Sequence, residues 1–184
     1  MTKRPRLDFE VDKLTNSIEN ILTGEIFETQ ILRLGSDDLG ELQRLKWAFD
    51  WAAEFSEPHR KIHALTTKKN PSVLHGLVSS EDMGDHIFMH LLEIAPLNRG
   101  RDKQYAGVAG NLVAFLCKTS FEKGYRGIVV FEAKTRLIKH YEESLKAQRI
   151  TGSRMFIGTR EAYRLVIQYF PGFDNDRPRK IEMG

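Results

Sequence analysis

The stretch from Asp85 to Lys134 is the strongest constraint on how this chain can fold. "DHIFMHLLEIAP" is an apolar run of strand length stopped by Pro96; "GVAGNLVAFLCKTSFEKG" has a helical apolar period, and "GIVVFEAK" is β-branched. Period two along the first run sets Ile87, Met89, Leu91 and Glu93 on one face and Phe88, His90, Leu92 and Ile94 on the other. By that rule His90 and Glu93 point to opposite faces.

The flanking segments extend the pattern. "GEIFETQILRL" reads as a partly buried strand. "SDDLGELQRLKWAFDWAAEF" reads as one amphipathic helix, capped by Ser36 or Asp37 and closed by Pro58, with Trp47 and Trp51 four apart and packing in the core. "KIHALTT" and "PSVLHGLVSSE" form a hairpin across the turn "KKNP". After the central stretch come a second amphipathic helix, "KTRLIKHYEESLKAQ", one or two strands in "RITGSRMFIG", and a helix, "TREAYRLVIQYF", ending at Pro171. The expected fold class is α/β (α+β): a mixed, mostly antiparallel central sheet flanked by helices. At 184 residues the chain makes a single domain. An N-terminal arm of about residues 1–24, containing the short helix candidate "DKLTNSIENIL", precedes it, and a tail of about residues 171–184 follows.

Composition excludes several classes. Hydrophobic residues at 41% and charged residues at 29% fit a globular protein. No apolar run is long enough for a bilayer, so no membrane partner is expected and the location is read as cytoplasmic. The single cysteine, Cys117, excludes an intramolecular disulfide and a thiolate zinc site, and it sits in a helical apolar pattern as packing. No spacing of His59, His63, His75, His86 and His140 assembles a metal site, and none is expected. A net charge of +3 without a reader motif argues against nucleic acid.

Chemistry concentrates at the entrance to the central helix. Gly107, Ala109 and Gly110 keep the turn narrow, so the amides of Val108, Ala109, Gly110 and Asn111 are open to a diphosphate at a positive helix end. Arg99, Arg101 and Lys103 add charge just upstream. The plain alternative is a helix start built for close packing, with solvated arginines. The turn lacks both the G-x-G-x-x-G of a dinucleotide fold and the G-x-x-x-x-G-K-[ST] of a phosphate loop.

Gln104-Tyr105-Ala106-Gly107-Val108-Ala109 does match [Q/R]-x-x-G-x-[G/A]. Here the chain resembles the GNAT superfamily of acyl-CoA N-acyltransferases, most clearly over residues 87–149. "HYEESLKA" is similar to that family's Tyr-Glu-x-x-Gly-[Phe/Ala] ending, with Tyr141 and Glu142 matching. The resemblance implies acetyl-CoA as cosubstrate, its diphosphate on the loop from Gln104 to Asn111, and direct attack of an unidentified amine on the thioester. It further implies main-chain contacts from Leu92 to Ile94, Tyr141 near the thioester sulfur as general acid, and Glu93, before His90 or a water, as base. Lys134 stands in the cofactor site where an asparagine is frequent, Lys146 where a glycine often ends the helix, and the loop after Pro96 is longer than usual. A homodimer is compatible with the resemblance. A second reading is a GNAT-fold coenzyme A-binding or regulatory protein without turnover.

Overall fold

The apolar, β-rich segments pair into one large sheet. The computed structural model describes residues 6–12, 14–15 and 17–173. It begins with β1 (Ile18–Asn20), β2 (Ile26–Phe27), β3 (Thr29–Leu34), α1 (Leu39–Arg44), α2 (Trp51–Ser56), β4 (Arg60–Thr67), β5 (Gly76–Asp82) and β6 (Ile87–Ile94). It continues with β7 (Tyr105–Ala106), α3 (Val108–Glu122), β8 (Val129–Glu132), α4 (Ile138–Ser144), β9 (Gln148–Thr151), β10 (Arg154–Ile157) and α5 (Thr159–Tyr169). Seven strands pair in the order β3-β4-β5-β6-β8-β10-β9, and β2-β1-β7 form a small second sheet. Every neighbouring pair is antiparallel except β6 and β8. Those two are parallel because α3 carries the chain from the end of one to the start of the other. The mixed, mostly antiparallel sheet expected from the sequence is the one that forms.

The sheet buries both faces. On one, Leu65, Val78, Met89 and Leu92 pack with Val108, Leu112 and Leu116 of α3. Gly76 permits this approach: a Cβ there would lie 2.8 Å from Val108 Cγ1. On the other face, Ile62, Ala64, Leu77 and Leu91 pack with Leu42 and Trp51 of α1 and α2.

Four expectations change. The period-two rule fails in β6 because the register with β5 shifts between Ser79, opposite Leu91, and Ser80, opposite Met89. The extra residue of this β-bulge is His90. It contacts the Phe88 ring at 4.7 Å and feels the charge of Glu54 on α2, so His90 and Glu93 share a face. Second, the long helix from Ser36 to Phe55 is interrupted: a 3-10 turn (Ser36–Asp38) and α1 end at Leu45, and α2 restarts at Trp51. The restart has its own cap, Asp50, whose carboxylate accepts from the Ala53 amide at 3.2 Å, an arrangement worth about 1 kcal/mol. Third, "DKLTNSIENIL" contributes strand β1, not a helix. Fourth, Phe173 of the expected tail is buried, with its ring 5.5 Å from that of Phe121; residues 174–184 lie outside the described part, as do residues 1–5 of the arm.

Candidate functional site

Pairing between β6 and β8 is brief: Ile87, Phe88 and Met89 stand opposite Val129, Val130 and Phe131, and beyond Met89 the strands are no longer partners. The freed edge of β8 is taken by the N-terminal segment. Leu7 forms a parallel bridge with Ala133, its amide donating to the Glu132 carbonyl at 2.7 Å and its carbonyl accepting from Lys134 N at 3.1 Å. From there the segment runs along the opening to the start of α3.

That start has the local structure its glycine demands. Gly107 is the N-cap of α3 with φ 88°, a left-handed conformation costly for any residue with a Cβ. A Cβ there would also collide with Thr15 Oγ1. Val108, Ala109, Gly110 and Asn111 are buried, and their cover is the chain itself, since a Cβ on Gly110 would meet the Tyr169 hydroxyl and Leu14. An anion does sit on this turn: the Asp12 carboxylate accepts from the Gly107 amide at 3.2 and 3.3 Å and from Lys103 Nζ at 3.3 Å. The Asn111 side chain donates to Thr29 Oγ1 at 3.4 Å, and its own Oδ1 is buried without a partner among the described residues. Gln104 is exposed and joins the loop by its backbone, its amide donating to the Leu97 carbonyl at 3.0 Å. Arg101 is exposed and makes no ion pair among the described residues.

Glu93, 2% exposed, is the other carboxylate of the site. It accepts from the amides of Ala48 at 2.5 Å and Phe49 at 3.3 Å and from the Trp51 indole at 2.7 Å, with the Arg99 guanidinium 3.7 Å away. This explains the interrupted helix. The amides of residues 48 and 49 donate to Glu93 instead of to carbonyls four residues back. His90 is also buried, its Nε2 2.7 Å from Glu81 Oε2; burial holds its pKa below the usual value, against the opposing pull of Glu81.

Tyr141 is fully buried, its ring against Phe9 and Phe131 with centroids 5.1 and 5.5 Å away. Its hydroxyl donates to the Phe9 carbonyl at 2.5 Å, and burial raises its pKa well above that of a free phenol. Lys134 and Arg136 both donate to Asp8, the former at 2.5 Å. A cavity of about 560 Å³ collects most of the remaining residues: Leu92, Glu93, Ile94, Arg99 and Lys103 line it, together with Phe49, Asn98, Arg136 and residues 8–12. Tyr141 does not line it. The segment from Asp8 to Asp12 stands between the tyrosine and the glutamate.

Those N-terminal residues were missed by sequence reasoning, although the signal was present. "LDFEVD" alternates apolar and acidic residues at period two, as a strand does. Burial follows it, with Leu7, Phe9 and Val11 inside and Glu10 and Asp12 exposed. Among the described residues no cluster of His, Cys, Asp or Glu is placed to hold a metal ion, and no helix is long and apolar enough to cross a membrane.

No protein-family model matches the chain, and no curated protein does. Solved structures do. A chimera of the spermidine N-acetyltransferase SpeG from Vibrio cholerae and hSSAT is similar at 15% identity, covering 74% of this chain and 98% of that one, with a TM-score of 0.50. AtaTR bound with AcCoA is similar at 15% identity, covering 75% and 98%, with a TM-score of 0.51. At such identities the likeness concerns the backbone, and with the mixed, mostly antiparallel seven-stranded sheet flanked by helices it shows that the chain has the fold of the GNAT N-acetyltransferases.

Proposed function

We propose that the chain transfers an acetyl group from acetyl-CoA to an amine, which attacks the thioester carbonyl directly. The parting of β6 from β8 beyond Met89, beside a helix that starts on a left-handed glycine, carries this reading. A linear pantetheine needs a slot with unpaired backbone groups on its walls, and a diphosphate needs a positive helix end. AtaTR was solved with AcCoA, and SpeG is a spermidine N-acetyltransferase; a thioester donor and a polyamine are therefore the first chemistry to try.

In this reading Leu92 to Ile94 lend main-chain groups to the thioester arm. The amides from Gly107 to Gly110, with Gln104 beside them, receive the diphosphate; that of Asn111, expected from the sequence to join them, already donates to the Gly107 carbonyl at 3.1 Å. Arg99, Arg101, Lys103 and Lys134 supply positive charge. Tyr141 protonates the departing thiolate, and its raised pKa keeps the phenol in its neutral, protonated form throughout the neutral range. Glu93 faces the cavity with both oxygens already accepting, so it draws the ammonium form of the acceptor and takes its proton through a water.

Tyr141→Phe tests the assignment, because it keeps the ring against Phe131 and removes only the hydroxyl. The expected result, by thiol release with an amine panel that includes spermidine, is a kcat lower by about 10²-fold with KM for acetyl-CoA nearly unmoved. Full activity in a folded variant removes Tyr141 from the mechanism. The second reading, a coenzyme A-binding protein without turnover, is favoured by one observation: residues 7–12 occupy the slot. Acetyl-CoA binding without thiol release across the panel supports it.

A further inference from the structure

We propose that residues 7–12 are a built-in occupant of the acyl-CoA slot, which acetyl-CoA must displace before the site can work. The inference rests on the reading above and adds a regulatory element to it.

Four of the groups which that reading assigns to the cosubstrate, Tyr141, Gly107, Lys103 and Lys134, are engaged by this one segment. The edge of β8 freed by the parting of the strands pairs with Leu7. The Tyr141 hydroxyl, assigned to the thioester sulfur, donates to the Phe9 carbonyl. The Gly107 amide and Lys103, assigned to the diphosphate, hold the Asp12 carboxylate. Lys134 and Arg136 hold Asp8. The segment thus copies the ligand in outline: an extended body with apolar side chains turned inward and anionic groups along it, one of them on the helix end.

Its construction also suits release. Only Leu7, Phe9 and Val11 are fully inward, whereas Glu10 is exposed and the side chains of Asp8 and Asp12 keep 22% and 20% of their surface in contact with solvent. The Val11 amide donates to His140 Nε2 at 2.9 Å. A ligand with two phosphates competes directly for the cations that hold Asp12, and its apparent affinity is reduced by the fraction of molecules whose slot is closed.

Hydrogen exchange on the intact chain, with and without saturating acetyl-CoA, is the decisive experiment. The amides of Leu7 and Val11 donate within the closed arrangement, as does that of Lys134 to Leu7; all three should lose protection when acetyl-CoA binds. In parallel, Asp12→Ala should lower the Kd for acetyl-CoA by about three- to fivefold, and deletion of residues 1–12 by at least as much if the shortened chain melts cooperatively. Binding by Asp12→Ala but not by the intact chain also supports the proposal, since the slot is then closed in the native protein. Binding by the intact chain with Leu7 and Val11 still protected overturns it while leaving the acetyltransferase reading standing. Absence of binding by both the intact chain and Asp12→Ala overturns that reading, and this inference with it.

Discussion

Asp12 and Glu93 each use a carboxylate to accept backbone amides at the same site, yet their surroundings differ. The Asp12 side chain is 20% exposed, and among its partners are the Gly107 amide and Lys103. Glu93 is 2% exposed and holds two amides and an indole, with an arginine nearby. A partly solvated carboxylate that leaves its partners hands them to water at a lower cost than a buried one, which strands them. The deep carboxylate therefore maintains the fold around the site, and the shallow one is suited to changing places with a ligand.

The largest expected effect tests the deep half. Glu93→Ala leaves three donors without an acceptor in a water-poor place and should destabilise the protein by about 3 kcal/mol, seen as a lowered Tm. Asp12→Ala should cost under about 1 kcal/mol by the same measurement. Equal losses would erase the distinction between the two carboxylates.

The same contrast shows what was legible in the sequence. The segment from Ile87 to Glu132 could be read because its apolar periods and glycine turn are local properties, and the sheet, α3 and the position of Gly107 followed from them. Glu93 was identified, but its partners were not. A broken helix at residues 45–50 looks continuous in sequence, because the acceptor that breaks it lies more than forty positions away. Likewise the bulge at His90 is a property of the pairing with β5, invisible in β6 alone. The arm's alternation is a local property, but nothing local says that Leu7, at the start of a six-residue extended segment, will bridge to Ala133.

Acidification should separate the two halves next. His75, with Nδ1 3.1 Å from Asn98 Nδ2, and His63, against the Phe115 ring, both have pKa values lowered to about 4. Burial is the first cause for each; Arg33 and Lys61 add to it at His63. Above the ordinary histidine pKa near 6.5, both rings are neutral whether the chain is folded or unfolded. Below it only the unfolded chain takes up their protons, so stability is complete near pH 7 and falls as pH drops toward 4. His75→Gln should flatten the dependence of Tm on pH across that window. Because Asn98 leads into Arg99, the deep half of the site should be the part that loosens. An unchanged slope in both His75→Gln and His63→Gln would mean that other groups govern the acid limb.

The smallest expected effects lie in the basic loop, and they distinguish a residue that serves one state from a residue that serves two. Lys103 holds Asp12 while the slot is closed and faces the diphosphate once it opens. Lys103→Ala therefore weakens both competitors, and the losses largely cancel in the measured affinity for acetyl-CoA. Arg101 is exposed, with no ion pair among the described residues, so only its attraction for the ligand is lost on replacement. Arg101→Ala should raise the Kd by about two- to threefold at low salt, an effect that shrinks as the ionic strength approaches 1 M and the screening length falls to about 3 Å. A clearly larger loss in Lys103→Ala than in Arg101→Ala would show that Asp12 does not share that lysine with the ligand, and the shallow carboxylate would then be an ordinary surface contact.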